Sequence, residues 1–473
     1  MRAGSRSFWL ILAVIAAVTV AAIVWPRLSR IGLLGSGYMA QTLCAGLFVS
    51  GRDMESLMTQ DLSGPGLEPL QLFTPAVAHN EQTVRASVFG LFGQTAVFRD
   101  GLGCTLTPDK PAVLSRAVAA NLSPPDPAPS STAEWPDGAH VIARPWPAGV
   151  DGEAADRTIE AIFSEPDPSR PRNTRALVVV HQGRIMAERY APGFDARMPM
   201  VGWSMSKTVT NLLVALRVKD GALSLDASRL MPEWRDEDDP RAAITLDELM
   251  HMTSGLAFNE DVDDFLSDVS QMLYVQANSA RFAASKPLVD PPGSHWSYST
   301  GTTGIIAAVL RETFDSEFAY LRFPRKRLFA PLGMRSASLA PDASGTLMSG
   351  SFFYASARDW ARLGLLFLRD GIWSGRQLLP KGWVAYSLVP APHAPNDKYG
   401  AQIWLKLPDS PGLGEPPMPD DAFYMLGHNG QVVAMVPSRN LVIVRLGLTR
   451  KGGDWDPARD LSPLVNAFPA VAE

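Results

Sequence analysis

The sequence predicts a mixed α/β fold, and three kinds of segment support this prediction. Apolar residues in a nearly continuous run, interrupted by one turn, indicate two strands around Leu177 and Arg184. Residues 208–219 place valine and leucine on one stripe at helical spacing and end at a glycine-containing stop, which predicts a helix. Residues 432–436 and 441–446 are apolar runs joined by a polar turn, a pattern typical of a β-hairpin.

Ser204 and Lys207 stand where the helical pattern of residues 208–219 begins. A serine hydroxyl is a poor nucleophile at neutral pH and needs a neighbouring group to take its proton. Residues three apart on a helix lie on the same face, so the Lys207 amine is expected to reach the Ser204 oxygen. The first turn of a helix also favours developing negative charge. This pair is therefore a candidate nucleophile and base, although the Ser-x-x-Lys pattern alone also occurs by chance.

Two later segments make the pattern more specific. Tyr298-Ser299-Thr300 lies in a glycine- and proline-rich loop just before a predicted helix. Residues 427–431, Gly-His-Asn-Gly-Gln, precede the first strand of the predicted hairpin.

These three segments, in this order, resemble those of the β-lactamase and penicillin-binding-protein superfamily of serine hydrolases. The stretches 177–185, 244–256 and 356–364 are also similar, and the likeness covers about residues 155–470. It implies an antiparallel sheet flanked by helices beside a mostly helical subdomain, with Ser204 in the cleft between them.

The sequence departs from the β-lactamases at two positions. Their third segment is Lys-Thr-Gly, whereas His428 stands here and is expected to be mostly neutral. Thr300 replaces the amide-bearing residue of the Tyr-x-Asn relatives. Both changes favour the branch of carboxylesterases and 6-aminohexanoate-dimer hydrolases, in which the bond that is cleaved is an ester or a linear amide.

The resemblance implies a role for each candidate residue. Ser204 attacks a carbonyl carbon, Lys207 helps to take the serine proton, and Tyr298 passes a proton to the leaving group and then activates water. The backbone N–H groups of Ser204 and Gln431 are expected to bind the oxyanion. The pocket is expected to be lined by four further residues, His428, Asn429, Gly430 and Thr300, and Tyr274 is a candidate for substrate contact with an equally good interpretation as a core aromatic.

Other chemistries fit the sequence less well. The Gly-x-Ser-x-Gly turn of α/β-hydrolases is incomplete, because Ser206 stands where the second glycine is needed. The seven histidines show no metal-binding spacing, so neither a metal nor another cofactor is expected, and His251 is interpreted as a structural residue near a helix end. With 43 basic against 48 acidic residues, the net charge of −5 gives no sign of a nucleic-acid partner.

Two other functions stay open at this point. The first is a D-Ala-D-Ala peptidase or β-lactamase, to which the histidine at position 428 is the main objection. The second is a non-catalytic descendant of the fold that binds cell-wall fragments in the old cleft. The joint presence of Ser204, Lys207 and Tyr298 argues against the second function. The favoured partner is a small-molecule acyl substrate.

The chain is predicted to have three parts: a membrane anchor at 1–30, an extension with a proline-rich linker at 31–150, and the hydrolase domain at 151–473. The 18 residues from Phe8 to Trp25 are uncharged and reach roughly 27 Å as a helix, close to the ~30 Å hydrocarbon core of a bilayer. An uncleaved anchor is favoured over a signal peptide, with the catalytic domain outside the cytoplasm, on the periplasmic side. Cys44 and Cys104 are expected either to form one disulfide or to stay as buried thiols.

Overall fold

The computed structural model describes residues 3–107, 133–408 and 417–471. Its strands, numbered in chain order, are β1 Phe73–Ala78, β2 Thr83–Val88, β3 Leu91–Arg99, β4 Gly103–Thr107, β5 Thr174–His181, β6 Arg184–Tyr190, β7 Met200–Val201, β8 Ser338–Leu339, β9 Phe353–Ala355, β10 Ile372–Trp373, β11 Arg376–Gln377, β12 Phe423–Gly427, β13 Gln431–Val436 and β14 Leu441–Gly447. Its α-helices are α1 Ala3–Cys44, α2 Met54–Ser56, α3 Gly152–Phe163, α4 Ser206–Lys219, α5 Leu246–Met250, α6 Asp268–Tyr274, α7 Ser279–Ala284, α8 Thr300–Glu312, α9 Glu317–Pro324, α10 Ala357–Leu368, α11 Trp383–Ser387 and α12 Pro457–Asn466.

The catalytic part is built on a five-stranded antiparallel sheet in the order β12-β13-β14-β5-β6. Successive side chains of a strand point to opposite faces, and β5 is apolar on both. Val178 and Val180 pack in the core that contains α10, whereas Leu177 and Val179 pack with α3 and α12. The sheet is therefore covered by helices on both faces, which explains why its strands appear in the sequence as continuous apolar runs.

A mostly helical region, from α4 to α9, lies between the first two and the last three strands of this sheet. Helix α4 is buried along nearly its whole length, from Ser206 to Leu216. The predicted strands at 177 and 184, the helix after Lys207 and the hairpin at 432–446 are all present. The mixed α/β fold with an antiparallel sheet is confirmed.

Ser204 itself does not lie in the first turn of helix α4, as the sequence predicts, but in a short 3-10 turn, Trp203–Met205, immediately before it. The backbone explains the difference, because Trp203 has a positive φ of 50° and the chain enters the helix through this bend. A bulky residue in that conformation is unusual and stores strain at the nucleophile. Gly202 is also required there, since a Cβ would lie 2.1 Å from the Trp360 ring.

Residues 31–107 form an extension that packs against the catalytic part. The second half of helix α1 covers the antiparallel sheet β1-β2-β3-β4, and the Cys44–Cys104 disulfide joins the two, with the Cα atoms 6.1 Å apart. Helix α1 runs without a break across residue 30, the predicted end of the anchor. The predicted proline-rich linker lies partly outside the described residues, and its described part buries Trp135 under the Arg362 guanidinium.

One helix of the described part, Val24–Val49, is long and apolar enough to span a membrane, yet 67% of its most apolar window is buried within the protein. This segment therefore serves as the core helix of the extension. The side chains of residues 8–23, which make up nearly all of the uncharged run 8–25, lie outside the described part of the chain.

The disulfide is expected to stabilise the extension strongly. Because it links residues 60 positions apart, chain-entropy arguments give a stabilisation of about 4 kcal/mol. Thermal unfolding with and without a thiol reductant measures this contribution, and reduction should lower the melting temperature. A double variant, Cys44→Ser with Cys104→Ser, should melt at the lower temperature in both conditions. Equal melting of the oxidised and reduced wild-type protein would contradict the prediction.

Candidate active site

The nucleophile turn brings the two residues of the Ser-x-x-Lys pattern together. The Lys207 amine lies 3.0 Å from the Ser204 hydroxyl oxygen, as the helical spacing predicts. It also donates to Thr300 Oγ1 at 2.8 Å and to the Gly350 carbonyl at 3.3 Å. Lys207 is almost fully buried, and this burial lowers its pKa to about 8 although the nearby Glu260 opposes the shift. A lysine with this pKa can be neutral often enough to act as a base.

Tyr298 lies beside Ser204 and Lys207. Its phenol interacts with the Ser204 side chain, and the Lys207 amine lies 4.7 Å from the centre of its ring. Burial raises the pKa of this phenol, so it stays protonated at neutral pH. The ring packs edge-on against Tyr399, with centroids 5.6 Å apart, and beside Trp404 at 5.3 Å. The aromatic neighbours fix the direction of the phenol towards Ser204.

Thr300, the first residue of α8, connects this pair to a carboxylate that the sequence analysis missed. Its Oγ1 accepts from Lys207 and donates to Glu260, and its backbone N–H donates to the other Glu260 oxygen at 2.7 Å. Glu260 thus lies at the N-terminus of a 13-residue helix, where negative charge is favoured. Thr300 lines the cavity, as predicted. Its hydroxyl also links the Glu260 carboxylate to the Lys207 amine through two hydrogen bonds.

The charge of Glu260 acts on the Lys207 amine. Desolvation raises its pKa, while the Lys207 charge and the hydrogen bonds from Thr300 lower it. No periodicity marks this residue in the sequence. The available signal is its place in an acidic run, Asn259-Glu260-Asp261, soon after the 244–256 stretch that resembles the family.

Glu260→Gln is expected to shift the pH profile more than the maximal rate. The Glu260 charge raises the Lys207 pKa, so its removal lowers that pKa, and more of the amine is neutral at a given pH. The rise of kcat/KM with pH should therefore begin at lower pH in the variant. The measurement is a pH–rate profile of both proteins between about pH 5 and 10. An unchanged profile would contradict the electrostatic role of Glu260.

The third segment, at the β12–β13 turn, lies against the nucleophile. A Cβ on Gly427 would come within 2.2 Å of the Gly202 carbonyl, so only glycine permits this contact. Gly430 has φ of +80°, and a Cβ there would meet Arg445 at 2.6 Å. The side chain of Gln431 is buried and forms two hydrogen bonds with the Gly447 backbone, which join β13 to β14. The predicted oxyanion role of Gln431 belongs to its backbone N–H group.

His428 and Asn429 both line the cavity that contains Ser204. The His428 ring contacts Trp203 edge-on with centroids 5.7 Å apart. The sequence predicts a contact of His428 with Tyr298 or with substrate, whereas the aromatic contact in the structure is with Trp203. Desolvation lowers the His428 pKa, which favours the neutral imidazole at this position. His251, by contrast, caps the end of α5 beside Asp247, the structural role that the sequence predicts.

The cavity around Ser204 has a volume of about 410 Å³. Tyr274 lines it and also packs against Tyr38 of the extension, with ring centroids 5.4 Å apart, so its contact with substrate stays a prediction beside its packing role. A larger cavity of about 710 Å³ lies by Arg175 and Phe194 and holds none of the three catalytic candidates. We therefore place the candidate active site in the smaller cavity.

Comparison with known proteins agrees with this geometry. The family model described as beta-lactamase matches residues 159–462, well over half of the chain. The chain belongs to the beta-lactamase family. This family membership supports a hydrolase with the β-lactamase fold. The matched residues include the three segments around Ser204, Tyr298 and His428.

One curated member of similar sequence is the 6-aminohexanoate-dimer hydrolase of Paenarthrobacter ureafaciens, which is 23% identical over 232 residues, or 45% of this chain and 56% of the relative. The chain therefore spans little more than half the length of that relative. Among solved structures, a Bacillus anthracis protein assigned as a 6-aminohexanoate-dimer hydrolase has a TM-score of 0.52 and 24% identity, covering 63% of this chain and 78% of that chain. A Bacteroides dorei protein assigned as a beta-lactamase has a TM-score of 0.53 and 19% identity, covering 66% and 98%.

Proposed function

We propose that this family member is a serine hydrolase that cleaves an ester or a linear amide through an acyl-enzyme on Ser204. The observation that carries the proposal is the convergence on the Ser204 hydroxyl of the Lys207 amine, at 3.0 Å, and the Tyr298 phenol. One group is a base of lowered pKa and the other is a protonated acid, and a nucleophilic serine needs both during one catalytic cycle.

The mechanism follows from these contacts. Neutral Lys207 takes the Ser204 proton as the oxygen attacks the carbonyl carbon, and the tetrahedral oxyanion binds to the backbone N–H groups of Ser204 and Gln431. Tyr298 delivers a proton to the departing oxygen or nitrogen. The proton on Lys207 passes to the phenolate, so that the amine can take a proton from water, which attacks the acyl-enzyme. A proton then returns to the Ser204 oxygen as the acid is released.

A peptidase or β-lactamase activity is less well supported. Those enzymes hold the carboxylate of their substrate with a cation in the third segment, and His428 favours the neutral form here. The name of the Paenarthrobacter relative, a 6-aminohexanoate-dimer hydrolase, is that of an enzyme acting on a linear amide. The pocket therefore fits a linear acyl substrate better than a β-lactam.

Active-site labelling tests the proposal. A fluorophosphonate probe should label the folded protein, peptide mapping should find the adduct on Ser204, and a labelled penicillin should not react. Labelling by both probes would support the penicillin-recognising alternative. Absence of labelling by either probe in folded protein would support the non-catalytic binder and contradict the proposal.

We further propose that residues 8–25 anchor the chain in a membrane, with the catalytic domain on the periplasmic side. The Cys44–Cys104 disulfide supports this location, because such bonds persist in oxidising compartments and are rare in the cytosol. A thiol-reactive polymer added to the unfolded protein from freshly lysed cells should modify it only after reduction. Modification without reduction would contradict the location.

A further inference from the structure

We propose that the cavity beside Ser204 is an acyl-chain pocket whose walls are shared between the catalytic domain and the N-terminal extension. The substrate class is then an ester or amide whose acyl group is a neutral, apolar chain. This inference rests on the proposed function, since it assigns the group that becomes attached to Ser204.

The apolar side chains that line the cavity come from both the extension and the catalytic domain. The extension contributes Leu34, Tyr38 and Leu67. The catalytic domain contributes Trp203 together with Val262, Phe265, Val269, Leu273 and Tyr274 from α6 and the loop before it. A volume of about 410 Å³ lies within the range of pockets that enclose small-molecule ligands.

The extension is fixed to the catalytic domain beside this pocket. Gln94 donates to the Tyr274 carbonyl at 2.6 Å and to the Leu33 carbonyl at 3.2 Å, which joins the sheet of the extension to both α6 and α1. Gly37 allows the close approach, because a Cβ there would lie 2.5 Å from the Tyr274 carbonyl. One wall of the pocket therefore depends on contacts between segments far apart in the chain.

Two large apolar side chains of the lining are exposed to solvent. Val262 is 51% exposed and Phe265 is 49% exposed, both on the loop that follows Glu260. Apolar side chains exposed beside an active site favour a ligand that covers them. Each methylene buried by such a ligand is worth about a fourfold gain in binding or in kcat/KM.

The cations of the lining already have partners. Arg450 donates to the Asp61 carbonyl at 2.7 Å, and Lys451 pairs with Asp263 at 2.7 Å. The nearby carboxylate of Glu260 is bonded to Thr300. An uncharged acyl chain that packs against the apolar part of the lining leaves these interactions in place.

The reaction places the chain in this pocket. The Ser204 oxygen bonds to the acyl carbon, the bond from that carbon to the leaving oxygen or nitrogen breaks, and the serine proton leaves with the alcohol or amine through Lys207 and Tyr298. Water then adds to the acyl carbon and breaks its bond to Ser204. The products are the carboxylic acid and the regenerated serine.

The test uses the full-length protein and p-nitrophenyl esters with acyl chains from two to twelve carbons. We expect kcat/KM to rise about fourfold per methylene until the pocket is full. Leu34→Trp and Leu67→Trp narrow the pocket from the extension and should each lower the ratio of kcat/KM for the longer esters to kcat/KM for the acetate ester at least tenfold. The matched control is Leu72→Trp, an exposed leucine of the extension outside the cavity lining, which should behave as wild type.

Fluorophosphonate labelling of Ser204 separates the two levels of the proposal and shows that each variant is folded. Labelled protein without a chain-length preference, or with a preference that neither pocket variant changes, overturns the acyl-chain pocket and leaves the serine hydrolase. Absence of labelling in folded wild-type protein overturns both.

We also infer, from a separate observation, that the tip of the β2–β3 hairpin lies in the lipid bilayer beside the anchor. Phe89 is 79% and Leu91 52% exposed at this tip, and Trp25 and Leu28 of α1 are 55% and 51% exposed. The Trp25 ring contacts Phe92 of β3, with centroids 5.3 Å apart, so helix α1 meets the hairpin near its exposed tip.

The occupant of this surface is lipid because helix α1 continues directly into the uncharged run that ends at Trp25. A tryptophan followed by Arg27 and Arg30 is typical of the boundary between hydrocarbon and headgroups. At 1.5 Å per residue, Leu34 of the acyl pocket lies only about 14 Å further along the helix. The pocket is then close to the membrane surface.

Site-specific fluorescence tests this placement in the full chain reconstituted into nanodiscs. Both native cysteines are in the disulfide, so Leu91→Cys can be labelled alone with a bimane dye. Spin-labelled lipid should quench this dye strongly. The matched control, Glu81→Cys, is exposed near the opposite end of strand β2, whose length separates the two sites by roughly 17 Å, and should be quenched little. Equal quenching at the two positions, or none at Leu91→Cys, overturns the inference.

Discussion

Ser204→Ala is expected to reduce the hydrolysis of an activated ester by roughly four to six orders of magnitude. The variant keeps the pocket and the backbone N–H groups but has no oxygen to form the acyl-enzyme. It should also lose the fluorophosphonate adduct completely. Stopped assays with p-nitrophenyl esters, corrected for spontaneous hydrolysis, measure the effect.

The neighbouring Ser206 provides the comparison for this experiment. Its hydroxyl donates to the Trp203 carbonyl at 2.5 Å and accepts from the Phe353 N–H at 3.3 Å, so it stabilises the turn but does not face the cavity. Ser206→Ala should lower the free energy of unfolding by about 1 kcal/mol and still be labelled. A Ser204→Ala enzyme that turns over as well as the wild type would refute the assignment of the nucleophile.

Lys207→Met is expected to lower kcat/KM by about two to four orders of magnitude, because methionine fills the buried space but cannot accept a proton. In the wild type, Lys207 acts as a base only when neutral, and its pKa is lowered to about 8. The neutral fraction grows as the pH rises through this value. We therefore expect kcat/KM to increase between about pH 6 and pH 9 and then to level off.

In Lys207→Met, the increase of kcat/KM with pH should disappear. A purely structural role of the lysine would not explain that loss. Lys219→Met is the matched control: Lys219 lies at the other end of the same helix, where its amine reaches the Leu378 carbonyl at 3.0 Å near the surface. Its activity and pH profile should equal those of the wild type. A wild-type profile that is flat from pH 6 to 9 would contradict the role of Lys207.

The local parts of the site were predictable because their geometry depends on short sequence distances. Ser204 and Lys207 are three residues apart in a helical pattern, and the hairpin carrying Gln431 has an apolar run on each side of a turn. The resemblance to the family located Tyr298 without any spacing argument. These contacts are all present in the structure.

Glu260 and the extension were not predictable in this way. The carboxylate reaches Thr300 across 40 residues, and Gln94 reaches Tyr274 across 180. Nothing in the periodicity of either segment shows which side chain lies at such a contact. The helix of the extension also appears in the sequence simply as an apolar stretch that follows the anchor.

The amino-acid sequence by itself predicted the mixed α/β fold from its periodicity, and its resemblance to the family pointed to Ser204, Lys207 and Tyr298 as the candidate nucleophile, base and phenol. Tertiary structure alone decided that Glu260 acts on Lys207, that Trp203 bends the chain before Ser204, and that Leu34 and Tyr38 line the pocket. The physical reason is that hydrophobic burial is non-directional. Which distant side chains become neighbours depends on how whole helices and sheets pack.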